Sequence, residues 1–351
     1  MTRGVRVWLA AVLLGAPVVT GAAAPEQIDP ASPDVSAGEQ VPAGTGVAFT
    51  LSDPRIAESS GLAASHRHED VYWTHNDSGP DYGPVLYAVD SDGDTVATVR
   101  LVGDGVAIRD WEAVAIGADD EGEPAIFVAD IGDNFQGGWP EVRVYRIPEP
   151  RDLVDQTVTA TTFTLTYEDG GRDAEGLLVD PRDNRLYVVS KEVAGSLYAA
   201  PEQPDPDGAN TLTRVGTAPL FATDAAFSPD GSRYAIRTYW NVTVYDASGG
   251  VPGRRIATLT LPESDQGESL TFTRDGNALL VGSEGVHSPV WRMPLPEAMP
   301  VPVSSTEPES TPTVAQQAAE PRTGGAGSLI LLGAGVAGVV ILAIVWLARR
   351  G

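Results

Sequence analysis

Five stretches of the chain lead an acidic residue into a short run of small and β-branched residues. They are Glu58-Ser-Ser-Gly-Leu-Ala63, Arg109-Asp-Trp-Glu-Ala-Val-Ala-Ile-Gly117, Asp173-Ala-Glu-Gly-Leu-Leu-Val179, Thr223-Asp-Ala-Ala-Phe227 and Gln266-Gly-Glu-Ser-Leu-Thr-Phe272. The leading acids, Glu58, Glu112, Glu175, Asp224 and Glu268, recur about every 45 to 65 residues. Carboxylates gathered at one point by such repetition are hard oxygen ligands, suited to calcium, magnesium or manganese. Without a cation they repel one another and some must hold protons. A second use of the same acids is structural: each can accept backbone N–H groups of the neighbouring repeat and tie the repeats together. Residue types and spacing leave both uses open.

A period of this length, with room for four strands per repeat, is the signature of a β-propeller. The expected architecture is therefore all-β and five-bladed, the acids opening the inner strands. Tight turns at Ser228-Pro-Asp-Gly231 and Thr273-Arg-Asp-Gly276 fit the first hairpins of their repeats. Asp90-Ser-Asp-Gly-Asp94 reads as a hairpin turn, since it lacks the closing glutamate of a calcium loop. The fifth repeat lacks an outer strand, which Gly46-Val-Ala-Phe-Thr-Leu51 supplies from the N-terminal side. A six-bladed ring is the alternative, with the extra blade in the long second repeat. An insertion at Arg151–Asp155 is expected to form a helical turn. The loops between second and third strands emerge beside the acids. They bring Asn76, Asp77, Asp133, Asn134, Lys191, Arg237 and Glu284 to the same top face as candidate binding residues. Trp73, Trp240 and Trp291 are expected as wedges between blades. Trp111 and Tyr239 stand near the mouth, where a sugar could stack. His75, beside Asp77, is a surface imidazole or a general base.

Asp110-Trp-Glu-Ala-Val-Ala115, Ala129-Asp-Ile-Gly-Asp-Asn134, Tyr145-Arg-Ile-Pro-Glu-Pro150, Asp173-Ala-Glu-Gly-Leu-Leu-Val-Asp180, Ser190-Lys191, Ser228-Pro-Asp-Gly-Ser-Arg-Tyr-Ala-Ile-Arg-Thr-Tyr239 and Gln266-Gly-Glu268 resemble the motifs of a group of secreted or membrane-anchored actinobacterial β-propeller proteins, often described only as WD40-like. The resemblance spans residues 45–297 and implies fold and location rather than chemistry. More distantly, the layout is similar to that of lactonase- and phytase-like propellers, a likeness of architecture alone.

The ends of the chain read differently from its body. Residues 1–24 carry Arg3 and Arg6, an apolar run and small residues, the pattern of a secretory signal peptide. Residues 25–44 read as a flexible leader and 45–297 as the propeller ectodomain. Residues 298–327, rich in Pro, Ser, Thr and Glu, read as a stalk. Residues 328–348 are apolar and long enough to cross a bilayer, and 349–351 form a basic tail that places the C-terminus in the cytoplasm. Glu320-Pro-Arg-Thr-Gly324 is similar to a sortase signal but has Glu320 where that signal has leucine, so wall attachment is the alternative to a retained membrane helix.

The net charge of −25 excludes the basic face that nucleic-acid binding needs. The absence of cysteine excludes disulfides and thiolate chemistry. No nucleophile elbow, phosphate loop or dinucleotide fingerprint is present. The expected function is a cell-surface binding module for an envelope glycan, a peptide or a membrane protein, with a divalent cation at its acidic top face. The alternative is a metal-dependent hydrolase of a lactone, ester or phosphoester, in which the bound metal activates water.

Overall fold

A computed structural model describes residues 41–77, 82–134 and 137–296. The expected signal peptide, most of the leader, the stalk with its Glu320–Gly324 stretch, the membrane helix and the basic tail lie outside the described residues. What is described is all-β, with no helix among these residues.

After β1 (Gly46–Thr50), the first repeat contains β2 (Ser59–Ala64), β3 (Val71–Asn76), β4 (Val85–Asp90) and β5 (Thr95–Val102). The second contains β6 (Trp111–Ala118), β7 (Pro124–Asp130), β8 (Val142–Pro148), β9 (Gln156–Thr159) and β10 (Thr161–Tyr167). The third contains β11 (Ala174–Val179), β12 (Leu186–Ser190), β13 (Ser196–Ala199) and β14 (Ala209–Thr217). The fourth has β15 (Ala222–Phe227), β16 (Arg233–Thr238), β17 (Asn241–Asp246) and β18 (Arg254–Thr260). The fifth has β19 (Ser269–Phe272), β20 (Ala278–Gly282) and β21 (Pro289–Pro294).

Apart from β9, successive strands within each repeat pair antiparallel, β8 with β10 in the second. The outermost strands of the second and third repeats, β10 and β14, pair in parallel and merge the two into one eight-stranded sheet. Its end strands, β6 and β11, return to lie side by side, so the sheet nearly closes, like a barrel. The stretch Arg151–Asp155 bends rather than forming a helical turn, and leads into β9, which pairs in parallel with β5 of the first repeat. The alternating Thr157 and Thr159 favour this extended form. Asp155 fixes the approach by accepting hydrogen bonds from Thr98 N and Oγ1, both at 2.8 Å.

The five inner strands complete a cycle: β2 lies beside β6, β6 beside β11, β11 beside β15, β15 beside β19, and β19 beside β2. They are buried on both faces; every residue of β11 is buried, whereas β5 and β14 alternate toward solvent. Apolar clusters fill the spaces between neighbouring repeats, as where Trp73 and Leu86 meet Ile126, Val128 and Tyr145. Strand β1 pairs antiparallel with β21 and so supplies the fourth strand of the last sheet. The turn at Asp90–Asp94 holds it in place. Asp90 Oδ1 accepts the N–H groups of Asp92 and Asp94, and the Gly93 carbonyl accepts Ser52 N–H at 2.9 Å. Gly93 has φ +89°, and any Cβ there would collide with the Thr50 carbonyl.

Candidate metal centre

The inner strands share a local irregularity that decides where each acid points. In β2, β6, β11 and β15 the register against the next strand skips one residue, at Ser60, Glu112, Glu175 and Thr223 respectively. A bulge re-aims the side chain it carries. A recurring backbone bond confirms the alignment of the flanking residues. Asp77, Gly132, Lys191 and Glu284 donate their N–H groups to the carbonyls of Glu58, Asp110, Asp173 and Gln266. Glu112, Glu175 and Glu268 are therefore equivalent, and Asp110, Asp173 and Glu58 form a second tier two residues earlier. Asp224 belongs to neither tier, because it stands one residue after the bulge, and a one-residue step reverses the face of an extended chain.

The equivalent positions bring three carboxylates together. Asp77, from the loop after β3, and Asp110 and Glu112, at the start of β6, offer oxygen atoms that all lie within 4.8 Å of one another. Gly132 makes the room. Its counterparts in other repeats are Asp77, Lys191 and Glu284, but a Cβ at 132 would collide with Glu112 Oε1 and lie 2.7 Å from Asp110 Oδ2. Asn134 Nδ2 donates to the same Asp110 Oδ2 at 3.2 Å, and Ser60 Oγ donates to Glu112 Oε2 at 3.2 Å. Burial first, and then the charges of Glu175, Asp77, Asp110 and Glu268, push the Glu112 carboxyl well above its ordinary range.

Next to this trio, Glu175 is ion-paired through Oε1 with Lys191, while its buried Oε2 has no hydrogen-bond partner. Lys191 Nζ also lies 3.9 Å from Glu268 Oε1 and 5.2 Å from the centre of the Tyr239 ring. Burial works against the Lys191 charge, but Glu175 and Glu268 hold its pKa above the usual lysine range. Tyr239 Oη and Gln266 Nε2 each donate to Glu268 Oε1 at 3.3 Å. Burial and a hydrogen bond with Glu268 push the Glu284 carboxyl up to about 9. Asp173 is raised by burial too, although it accepts Asp133 N–H at 2.8 Å. A single lysine thus faces a crowd of carboxylates that stay charged only with another cation or lose charge to protons. The donor set is all oxygen, as a hard divalent ion requires.

Several candidates serve the frame instead. Asp224 is completely buried; its Oδ1 and Oδ2 accept the N–H groups of Ala225 (2.7 Å) and Leu270 (2.6 Å), tying β15 to β19. Arg237, placed as a top-face binder, is buried opposite Asp224 in the register. Its Nη1 donates to the carbonyls of Ser269 (2.5 Å) and Gly282 (2.6 Å), and burial lowers it to about 10. Asn76 is consumed by backbone: Oδ1 accepts Ala57 and Glu58 N–H, and Nδ2 donates to the Arg55 carbonyl. Asp133 is buried, accepting Trp139 N–H at 2.8 Å. Glu58 is half-buried at the rim. His75 is neither a surface imidazole nor poised as a base: it is buried against Trp111, and burial lowers it to about 4. Trp111 is buried as well, with Nε1 donating to the Ala107 carbonyl, so no sugar reaches it. Trp73 packs inside as expected, but Trp240 is 55 % exposed and wedges nothing.

The sequence sets Asp110 on the same side as Glu112 without counting it among the candidate ligands, and Gly132 was not singled out. The signal for Asp110 was its position two residues before Glu112, the same side of an extended strand. Nothing in a single sequence marked Gly132. No protein-family model matches the chain, and no curated protein matches it.

Proposed function

We propose that the chain is a five-bladed β-propeller that binds a divalent cation at the mouth of its channel, and that this face is the working surface of a binding module. The cycle of five inner strands and the closure by β1 support five blades. The observation that carries the cation reading is the Asp77, Asp110 and Glu112 trio, with ligand oxygens within 4.8 Å. The unpartnered buried Oε2 of Glu175 adds a second sign of a missing positive partner. Bound there, a calcium, magnesium or manganese ion neutralises the carboxylates and offers open coordination positions to a ligand arriving at the mouth. The pattern of residues 1–24, with Arg3 and Arg6 before an apolar run, and the apolar stretch 328–348 support export and display on a membrane anchor.

The test is thermal melting of the full chain in a mild detergent, first with EDTA and then with excess calcium, magnesium or manganese. A ligand of the folded state at a hundred times its Kd stabilises by about 2.7 kcal/mol, which for a domain of this size raises Tm by roughly 5 to 10 °C. Asp110→Asn should remove that rise. If no cation moves Tm, the acids are ties between strands and the metal reading is wrong.

A further inference from the structure

A groove between the loops of the fourth and fifth repeats lies beside the acidic cluster and shares Tyr239 and Glu284 with it. Tyr239, Trp240, Val286 and His287 are among the residues that line it. Trp240 and Val286 are about half exposed, at 55 % and 51 %. The indole is braced rather than buried: the Phe221 and Tyr239 rings stand 6.2 and 6.0 Å from it. Glu263 and Asp265 are exposed along the groove and Glu284 is half-buried at its inner end, and no Lys or Arg lines it among the described residues. An exposed indole and the exposed carboxylates of Glu263 and Asp265 thus line one groove.

We infer that this groove docks an extended, arginine- or lysine-bearing segment of a partner protein. The cation of the side chain lies against Trp240 and pairs with Glu263 and Asp265. Guanidinium groups both stack on indoles and pair with carboxylates. A neutral sugar would use the indole and leave the carboxylates without a partner, and an anionic lipid surface would be repelled by the net charge of −25. The inference does not depend on the cation centre.

The experiment measures fluorescence anisotropy of a dye-labelled Gly-Arg repeat hexapeptide with the full chain, at about 0.15 M salt to suppress diffuse attraction. A matching peptide with citrulline in place of arginine is the neutral control. The arginine peptide should bind and the citrulline peptide should not. Trp240→Ala, and separately the pair Glu263→Gln with Asp265→Asn, should each weaken binding at least tenfold, a loss of about 1.4 kcal/mol. The remote surface pair Glu202→Gln with Asp207→Asn should change it less than about twofold. Trp240→Ala should keep the parent melting temperature and its cation response, so that lost binding is not lost folding. Unchanged affinity in Trp240→Ala, equal binding of the citrulline peptide, or an equal loss from the remote pair would overturn the inference. Asp110→Asn separates the two proposals, since it should abolish the cation response and leave peptide binding in place.

Discussion

Asp224 and Glu112 open matching stretches of sequence, yet one residue of register gives them different work. Glu112 sits on the bulge and turns toward Asp77 and Asp110, whereas Asp224 follows the bulge and holds two N–H groups of adjacent strands. The bulge is invisible in a single chain, and so the five acids read as one ring when three of them, Glu112, Glu175 and Glu268, are equivalent. Charge type was readable, as was the convergence of loops on one face; which oxygen finds a backbone donor was not. The same limit hid the fate of Arg237 and Asn76, whose polar groups are spent on carbonyls and N–H groups that only the fold brings near. Asp224→Ala should therefore destabilise the protein, because two buried donors lose their acceptor at about 1 to 3 kcal/mol each. The melting temperature should fall by roughly 5 to 15 °C while the rise on adding cation stays intact. A normal Tm together with a lost cation response would place Asp224 among the ligands instead.

At the scale of elements, strand existence was largely written in alternation and turn chemistry. The turns at Ser228–Gly231 and Thr273–Gly276 do lead into β16 and β20, and the spare strand at Gly46 does close the last sheet. The exception was the linker before β9. A short polar segment with Pro nearby carries little periodicity, and its pairing with β5 comes from another repeat, which local pattern cannot reveal. The closure by β1 depends on a turn from the first repeat, because Gly93 packs directly on Thr50. Gly93→Ala meets both a positive φ and a backbone collision, so it should loosen β1 from β21 before it unfolds the rest. Hydrogen exchange checks this: amides of Val47 to Thr50 should lose protection in the variant, while those of β11 remain slow. Loss of protection throughout the molecule would mean that closure is inseparable from global folding.

The whole molecule gathers negative charge and concentrates part of it where water is scarce, so its stability, and the cation binding proposed above, must both depend on pH. Glu112 and Asp173 are raised above their ordinary values, and Glu284 from 4.5 to about 9. For such groups the folded state holds more protons than the unfolded chain, so their contribution is complete below the unfolded pKa and is lost as pH rises through the folded one. His75 works in the opposite sense. Its pKa falls from 6.5 to about 4, so its contribution is present above about 6.5 and is lost as pH falls toward 4. One histidine offsets only one of these carboxyls, so in EDTA the melting temperature should be highest at about pH 4 to 5, where they still hold their protons, and decline steadily toward pH 9. A bound cation replaces the protons, and its binding releases them. The increment in Tm produced by saturating cation should then grow from about pH 6 to about pH 9, and the decline seen in EDTA should flatten. Melting curves across this range, with and without cation, distinguish the mechanisms directly. A decline in EDTA that cation leaves untouched would mean that the carboxylates keep their protons and Lys191 is their only counter-ion. A decline that cation abolishes, and that Asp110→Asn restores, would mean that the acidic mouth is built to exchange protons for a metal ion.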